Sequence, residues 1–158
     1  MPHVTIEYVI MVPVLIMQIF LFPLTASWLM NIWVDSRRTL ALQEAASHLG
    51  STIQQIFFSL NHTTILSGTV TQKANVPTFI ENYPYTGTAT LRSISGLGSS
   101  KVLDITLRLV TVGTTVTSSA ILGSNVFWQE STFVSNSINT CIRAEKMMDG
   151  TIYLSFGG

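Results

Sequence analysis

Few residues in this chain have the chemistry to build a reactive site. Its 158 residues include three histidines, one cysteine and eight carboxylates. His3 is separated from His48 and His62 by a long uncharged run, and neither of the latter stands in a Cys/His pattern of metal-ligand spacing. Cys141 has no neighbouring His to activate it, so it reads as a small buried hydrophobe rather than a nucleophile. The pair Gly96-x-Gly98 is too short to cradle a phosphate, and no Walker pattern follows it. Glu81 and Asp104 read as isolated, solvated carboxylates. The expectation is a non-enzymatic chain with no metal and no cofactor. The carboxylate that calls for a physical reason is Glu7, because an uncharged stretch begins directly after it.

From Tyr8 to Val34 there are 27 consecutive residues without a charge. A helix needs roughly 20 apolar residues to cross a hydrocarbon core of about 30 Å. The run is long enough to span with some tilt and too long for the apolar region of a cleavable secretory signal. Trp28 and Trp33 lie near its C-terminal end, where amphipathic aromatics favour the membrane–water boundary. Pro13 and Pro23 fall inside it, so the helix is expected to bend or loosen near 9–13 and 19–23. Elsewhere charge is sparse: 10% of residues are charged, 47% are hydrophobic and the formal net charge is zero. Such a chain is not intrinsically disordered. It has no basic excess with which to bind nucleic acid, and its lone cysteine forbids an intramolecular disulfide framework.

Beyond Val34 the helix need not stop. Residues 36–60 contain no proline, and Leu42, Ala46, Leu49, Ile53, Ile56 and Leu60 recur at steps of three and four, an amphipathic stripe. A helix from about Thr5 to Leu60 would be roughly 80 Å long at 1.5 Å per residue. Its first half would be apolar all round and its second half apolar on one face, packed on the chain's own globular part. After Asn61 the pattern turns extended. Strands are expected at 65–71, 86–95, 103–109, 114–122, 126–134, 138–145 and 151–156. The clearest alternates Leu103, Ile105, Leu107 and Leu109 with Asp104, Thr106 and Arg108. The sequence therefore predicts an α+β fold: a long N-terminal hydrophobic helix, then an antiparallel sheet or small sandwich. Its segments are an apolar helix half at 1–34, an amphipathic half at 35–60 and a Thr/Ser-rich β domain at 61–158. The threonines suit a pleated sheet and make a surface polar without charge.

The string His3-Val4-Thr5-Ile6-Glu7-Tyr8-Val9-Ile10-Met11-Val12-Pro13-Val14-Leu15-Ile16-Met17 resembles the N-terminal segment of the type IV pilin superfamily. It is most similar to the TadE-like pseudopilins, with Glu7, Tyr8 and Pro13 at the family's spacing. The likeness covers roughly residues 3–55. The resemblance implies cleavage by a prepilin peptidase between Pro2 and His3, which would put Glu7 at the fifth position of the mature chain. Where the family has a short basic leader ending in a small residue, this sequence has Met1 and Pro2. The resemblance further implies a membrane-embedded precursor that polymerises with copies of itself, aided by pilus assembly machinery. It places Glu7, Tyr8, Val12, Pro13, Leu15, Ile19, Phe20, Phe22 and Leu29 at the subunit interface. Glu7 would then pair with the amino terminus of the adjacent subunit, offsetting the cost of a carboxylate in an apolar bundle.

Two features bear on orientation in opposite senses. The positive-inside rule would put Arg37 and Arg38 in the cytoplasm. The Thr/Ser-rich remainder, and the N-glycosylation sequon Asn61-His62-Thr63, favour the outside, which is the orientation adopted. The leading expectation is a structural subunit of an extracellular pilus-like filament. The alternatives are a single-span anchor displaying an adhesive or ligand-binding β domain, and a minor pseudopilin that primes a pilus.

Overall fold

The computed structural model describes residues 3–94 and 100–157, with side chains from residue 8 onward. The chain forms two compact units, Met1–Arg37 and Arg38–Gly158. Helix α1 spans His3–Leu60, so its residues up to Arg37 belong to the first unit and the rest to the second. It runs without a break through Pro13 and Pro23. Neither proline ends the helix, although each removes an N–H donor and crowds the carbonyl four residues earlier. Just beyond Pro23, the Thr25 hydroxyl donates to the carbonyls of Leu21 and Phe22 at 3.1 and 3.0 Å.

The second unit adds eight strands: β1 (Gly68–Lys73), β2 (Tyr85–Ser93), β3 (Lys101–Leu109), β4 (Thr115–Leu122), β5 (Val126–Trp128), β6 (Thr132–Val134), β7 (Cys141–Lys146) and β8 (Ile152–Gly157). They make two four-stranded sheets, ordered β1-β7-β8-β5 and β4-β3-β2-β6. All pairings are antiparallel except β5 with β8. The α+β expectation of a long helix followed by an antiparallel β arrangement holds, with the strands divided between two sheets.

One core joins the two sheets and the helix stripe. Leu42, Ala46, Leu49, Ile53, Ile56 and Leu60 are all buried, joined by Ala45 and Phe57. They share a cluster with Leu103, Ile105, Leu107 and Leu109 of β3 and Ile142, Ala144, Ile152 and Leu154 of β7 and β8. Phe133 of β6 meets Phe156 of β8 edge-on, with ring centroids 5.5 Å apart, and so bridges the sheets. Gly87 lies opposite Leu107 and Phe133. A Cβ at that position would come within 2.6 Å of Leu107 Cδ2, so only glycine lets these side chains close over β2.

Gly50 differs. It is buried within α1, ten residues before its end, and a Cβ there would meet Ile105 Cδ1, Ser118 Oγ and Ala120 Cβ at 3.7, 3.7 and 3.8 Å. Those are ordinary contacts, and mid-helix glycine costs roughly 0.5–1 kcal/mol relative to alanine. Gly50→Ala is therefore expected to stabilise the second unit by about 1 kcal/mol and raise its midpoint by roughly 4 °C. Thermal unfolding of the two full chains in the same detergent checks the sign; a lowered midpoint would mean that the helix cannot absorb even a methyl against β3 and β4.

Three strand expectations needed correction, the first being 65–71, which the structure shifts to Gly68–Lys73 because Ile65 still closes the turn after α1. The segment 126–134 is two short strands in different sheets, because the chain changes sheet at Gln129-Glu130-Ser131. Ser131 makes the crossing possible: its Oγ accepts from Phe156 N at 2.8 Å and donates to the Gln129 carbonyl at 2.9 Å. The segment expected to begin at 138 begins at Cys141, since Thr140 donates its hydroxyl to the carbonyls of Val134 and Ser137 and holds a turn.

Candidate functional site

The first unit carries the surface on which a functional reading turns. Every side chain from Tyr8 to Trp33 is exposed. This is one helix long and apolar enough to cross a membrane. Tyr8, Val12, Leu15, Ile19, Phe22 and Leu29 recur at steps of four, three, four, three and seven, so an α-helix gathers them on one stripe. Their exposure runs from 48% at Val12 to 76% at Phe22, so among the described residues nothing covers the stripe. Phe20 and Pro13 fall to the side of it. Shallow apolar grooves flank it, one lined by Leu15, Ile19, Phe22 and Pro23 and another by Leu29, Met30 and Trp33. Glu7 and His3 lie on the backbone of α1. Their side chains, and the whole of Pro2, lie outside the described residues, so the proposed processing point and the carboxylate have no described geometry.

Adjacent arginines at the end of this segment do different work, which reading them as a pair misses. Arg37 stacks over the Trp33 ring, its guanidinium carbon 4.8 Å from the centroid. The i, i+4 spacing is the sequence signal for that contact. Arg38 instead bonds Glu81 at 2.8 Å and lies over the Tyr83 ring at 5.3 Å. Glu81 is thus not an isolated, solvated carboxylate. It occupies, with Asn82, a two-residue turn closed by reciprocal Ile80–Tyr83 backbone bonds. Both turn residues have positive φ, 47° and 69°. Asparagine tolerates that conformation and glutamate resists it, so the pairing with Arg38 holds an unfavourable backbone in place.

Asp104 is likewise paired. Arg92 donates to it through both Nε and a terminal nitrogen, and Ser119 Oγ donates at 2.7 Å. These donors, Arg92 first, hold the carboxyl below the usual carboxylate range and raise the guanidinium in turn. The trio links β2, β3 and β4 on the outer face of their sheet, where Thr132, Thr88, Thr106 and Thr117 also line up across all four strands. Thr106 and Thr117 share a hydroxyl bond of 3.2 Å. Threonine and serine dominate this face, and the Arg92 charge on it is matched by Asp104.

Other candidates for chemistry remain scattered. His48 is exposed on α1, while His62 Nδ1 shares a 2.8 Å bond with the Thr64 hydroxyl. Cys141 is half-buried, its sulfur packed over Gly157. Tyr85 is fully buried, stacked near Phe133, and donates its hydroxyl to the Pro77 carbonyl at 2.6 Å. Burial pushes its phenol well above the ordinary tyrosine value. Among the described residues, no three His, Cys, Asp or Glu side chains converge as metal ligands would. Gly96 and Gly98 lie outside the described residues. No family model, curated protein or solved structure matches the chain.

Proposed function

We propose that this chain is a structural, non-catalytic subunit of a type IV pilus-like extracellular filament. Its apolar helix packs with copies of itself, and its β-bearing unit forms the outer surface. The observation that carries the reading is the uncharged segment Tyr8–Val34, uncovered on all sides from Tyr8 to Trp33. So large an apolar surface is stable only in lipid or against equally apolar partners. Identical helices supply such a partner, so a subunit leaving the bilayer exchanges lipid contacts for protein contacts without exposing apolar surface to water. Membrane anchoring needs only the helix. Polymerisation rests in addition on Glu7, which would pair across subunits and set the axial register. A prepilin peptidase and the assembly machinery are the partners that the resemblance implies. The threonine rows of β2, β3, β4 and β6 suit an exterior that stays soluble without net charge.

Glu7→Gln separates this reading from a solitary anchor. Under the filament reading, sheared surface material from wild-type cells contains fibres of this protein. The variant should lose at least tenfold in fibre yield, the equivalent of about 1.4 kcal/mol per subunit contact, while its membrane-bound amount is unchanged. Absence of wild-type fibres, or equal yield from the variant, favours the single-span anchor. Trace stoichiometry in fibres of another subunit would identify a priming pseudopilin.

A further inference from the structure

The turn that follows α1 carries an exposed asparagine whose side-chain amide is held through its oxygen by a second asparagine. Asn61-His62-Thr63 is the sole N-x-Ser/Thr sequon in the chain with a residue other than proline in the middle, and Asn61, His62, Thr63 and Thr64 are all exposed. The peptide on either side of Asn61 is anchored. Asn61 N donates to the Phe57 carbonyl at 2.8 Å, completing the last helical bond, and Ile65 N donates to the His62 carbonyl at 3.2 Å, closing a turn. The buried Lys146 ammonium donates to the carbonyls of Leu60 and His62 at 2.8 and 3.1 Å, so the residues before and after Asn61 are clamped by one side chain.

The side-chain amide is oriented by a chain of donors and acceptors whose direction is fixed at its far end. Gly150 offers a carbonyl, which can only accept. The Asn125 atom facing it at 2.8 Å must therefore be Nδ2. That same Nδ2 faces the Asn61 amide at 3.0 Å, so the Asn61 atom it meets must be the oxygen. Asn61 Nδ2 is then the amide atom that Asn125 does not engage, on a residue that is exposed. Among the described residues neither it nor the Thr63 hydroxyl has a partner within the chain, and these are the two groups that a glycosyltransferase must reach.

We propose that Asn61 is the acceptor for a lipid-phosphate-linked oligosaccharide. Its Nδ2 attacks the anomeric carbon of the donor and the N–C bond forms. The bond from that carbon to the phosphate oxygen breaks, the lipid phosphate leaves with the electron pair, and Nδ2 gives up one proton to the transferase. The Asn125 bond to the amide oxygen survives the reaction, because it involves an atom that does not react. The proposal relies on the function proposed above only for orientation, since the β-bearing unit must face away from the cytoplasm to meet such a donor.

Intact-mass measurement of the full chain purified from its native host, with protease shaving of whole cells in parallel, tests it. The expected result is a mass above that of the polypeptide. The surplus should be lost completely in both Asn61→Gln and Thr63→Ala and kept in Thr63→Ser. Thr63→Ala leaves the Asn61–Asn125 bond in place, so a shared loss reports acceptor recognition rather than a disturbed turn. A native mass no greater than that of the bare chain, or a surplus that persists in Asn61→Gln, overturns the proposal. Shaving keeps the two failures apart. A unit digested from outside but carrying no sugar sinks the glycan alone, whereas a protected unit sinks the outward orientation as well.

Discussion

Truncating Leu49 to alanine is expected to destabilise the unit Arg38–Gly158 by about 3 kcal/mol, within the range of buried Leu→Ala changes. Leu49 is fully buried, and the cluster to which it belongs draws on the helix and both sheets. Collapse into the vacated space is limited from two sides. Sheets cannot shift without disturbing paired registers such as Leu103↔Ala120 and Ile105↔Ser118. The helix is tied at its end by Lys146 and along its length by the Gln54 amide, which donates to the Ile121 carbonyl at 3.1 Å. A cavity left beside such fixed walls retains most of its cost. Ser47→Ala is the matched control, since Ser47 is exposed on the same helix. Its expected effect is within about 0.5 kcal/mol. Urea unfolding of the full chain in detergent gives both numbers; equal midpoints for the two variants would show that the stripe does not anchor the helix.

The Leu49 stripe was visible in the sequence because burial on one helix face imposes a period that neighbouring residues share. The alternation in β3 was visible for the same reason: Leu103, Ile105, Leu107 and Leu109 all face inward, and each is flanked by a polar residue or by Arg108. Periodicity is a local property and survives without knowledge of the fold. What it does not carry is any interaction between residues distant in the chain. Asp104 looked solitary because Arg92 and Ser119 reach it only once β2, β3 and β4 are paired. Glu81 looked solitary because Arg38 lies 43 positions earlier. Lys146 gave no signal at all. A lysine in an extended run is normally solvated, yet this one is buried and bonds two carbonyls at the end of α1, where a cation also complements the helix dipole. The single strand expected at 126–134 failed in a related way. Its apolar residues continue through Val134, but Val126 and Phe133 fill the core from different sheets, and a continuous alternation cannot show where the chain crosses between them. The apolar segment of α1 was legible in full, since absence of charge over 27 residues needs no partner to be seen.

A lysine at position 19 should have the largest effect on the function proposed for that segment. Ile19 lies near the middle of the uncharged run, on the stripe with Leu15 and Phe22, and is 68% exposed within the chain. In water a change from isoleucine to lysine at so exposed a site would be nearly neutral. In hydrocarbon it costs about 3 kcal/mol at the centre of a spanning helix, roughly a hundredfold in the insertion equilibrium. Within a bundle of identical helices every copy would bring the same charge, and no acidic side chain lies between Tyr8 and Val34 to neutralise it. Leu40→Lys provides the comparison: Leu40 is 69% exposed and belongs to the same helix, but to the second unit. If the medium around residue 19 is apolar, Ile19→Lys removes the protein from the alkali-washed membrane fraction, and any fibres with it, while Leu40→Lys changes neither. If both variants behave like wild type, residue 19 sits neither in lipid nor in a bundle of its own copies, and both the filament and the anchor readings of the segment fail.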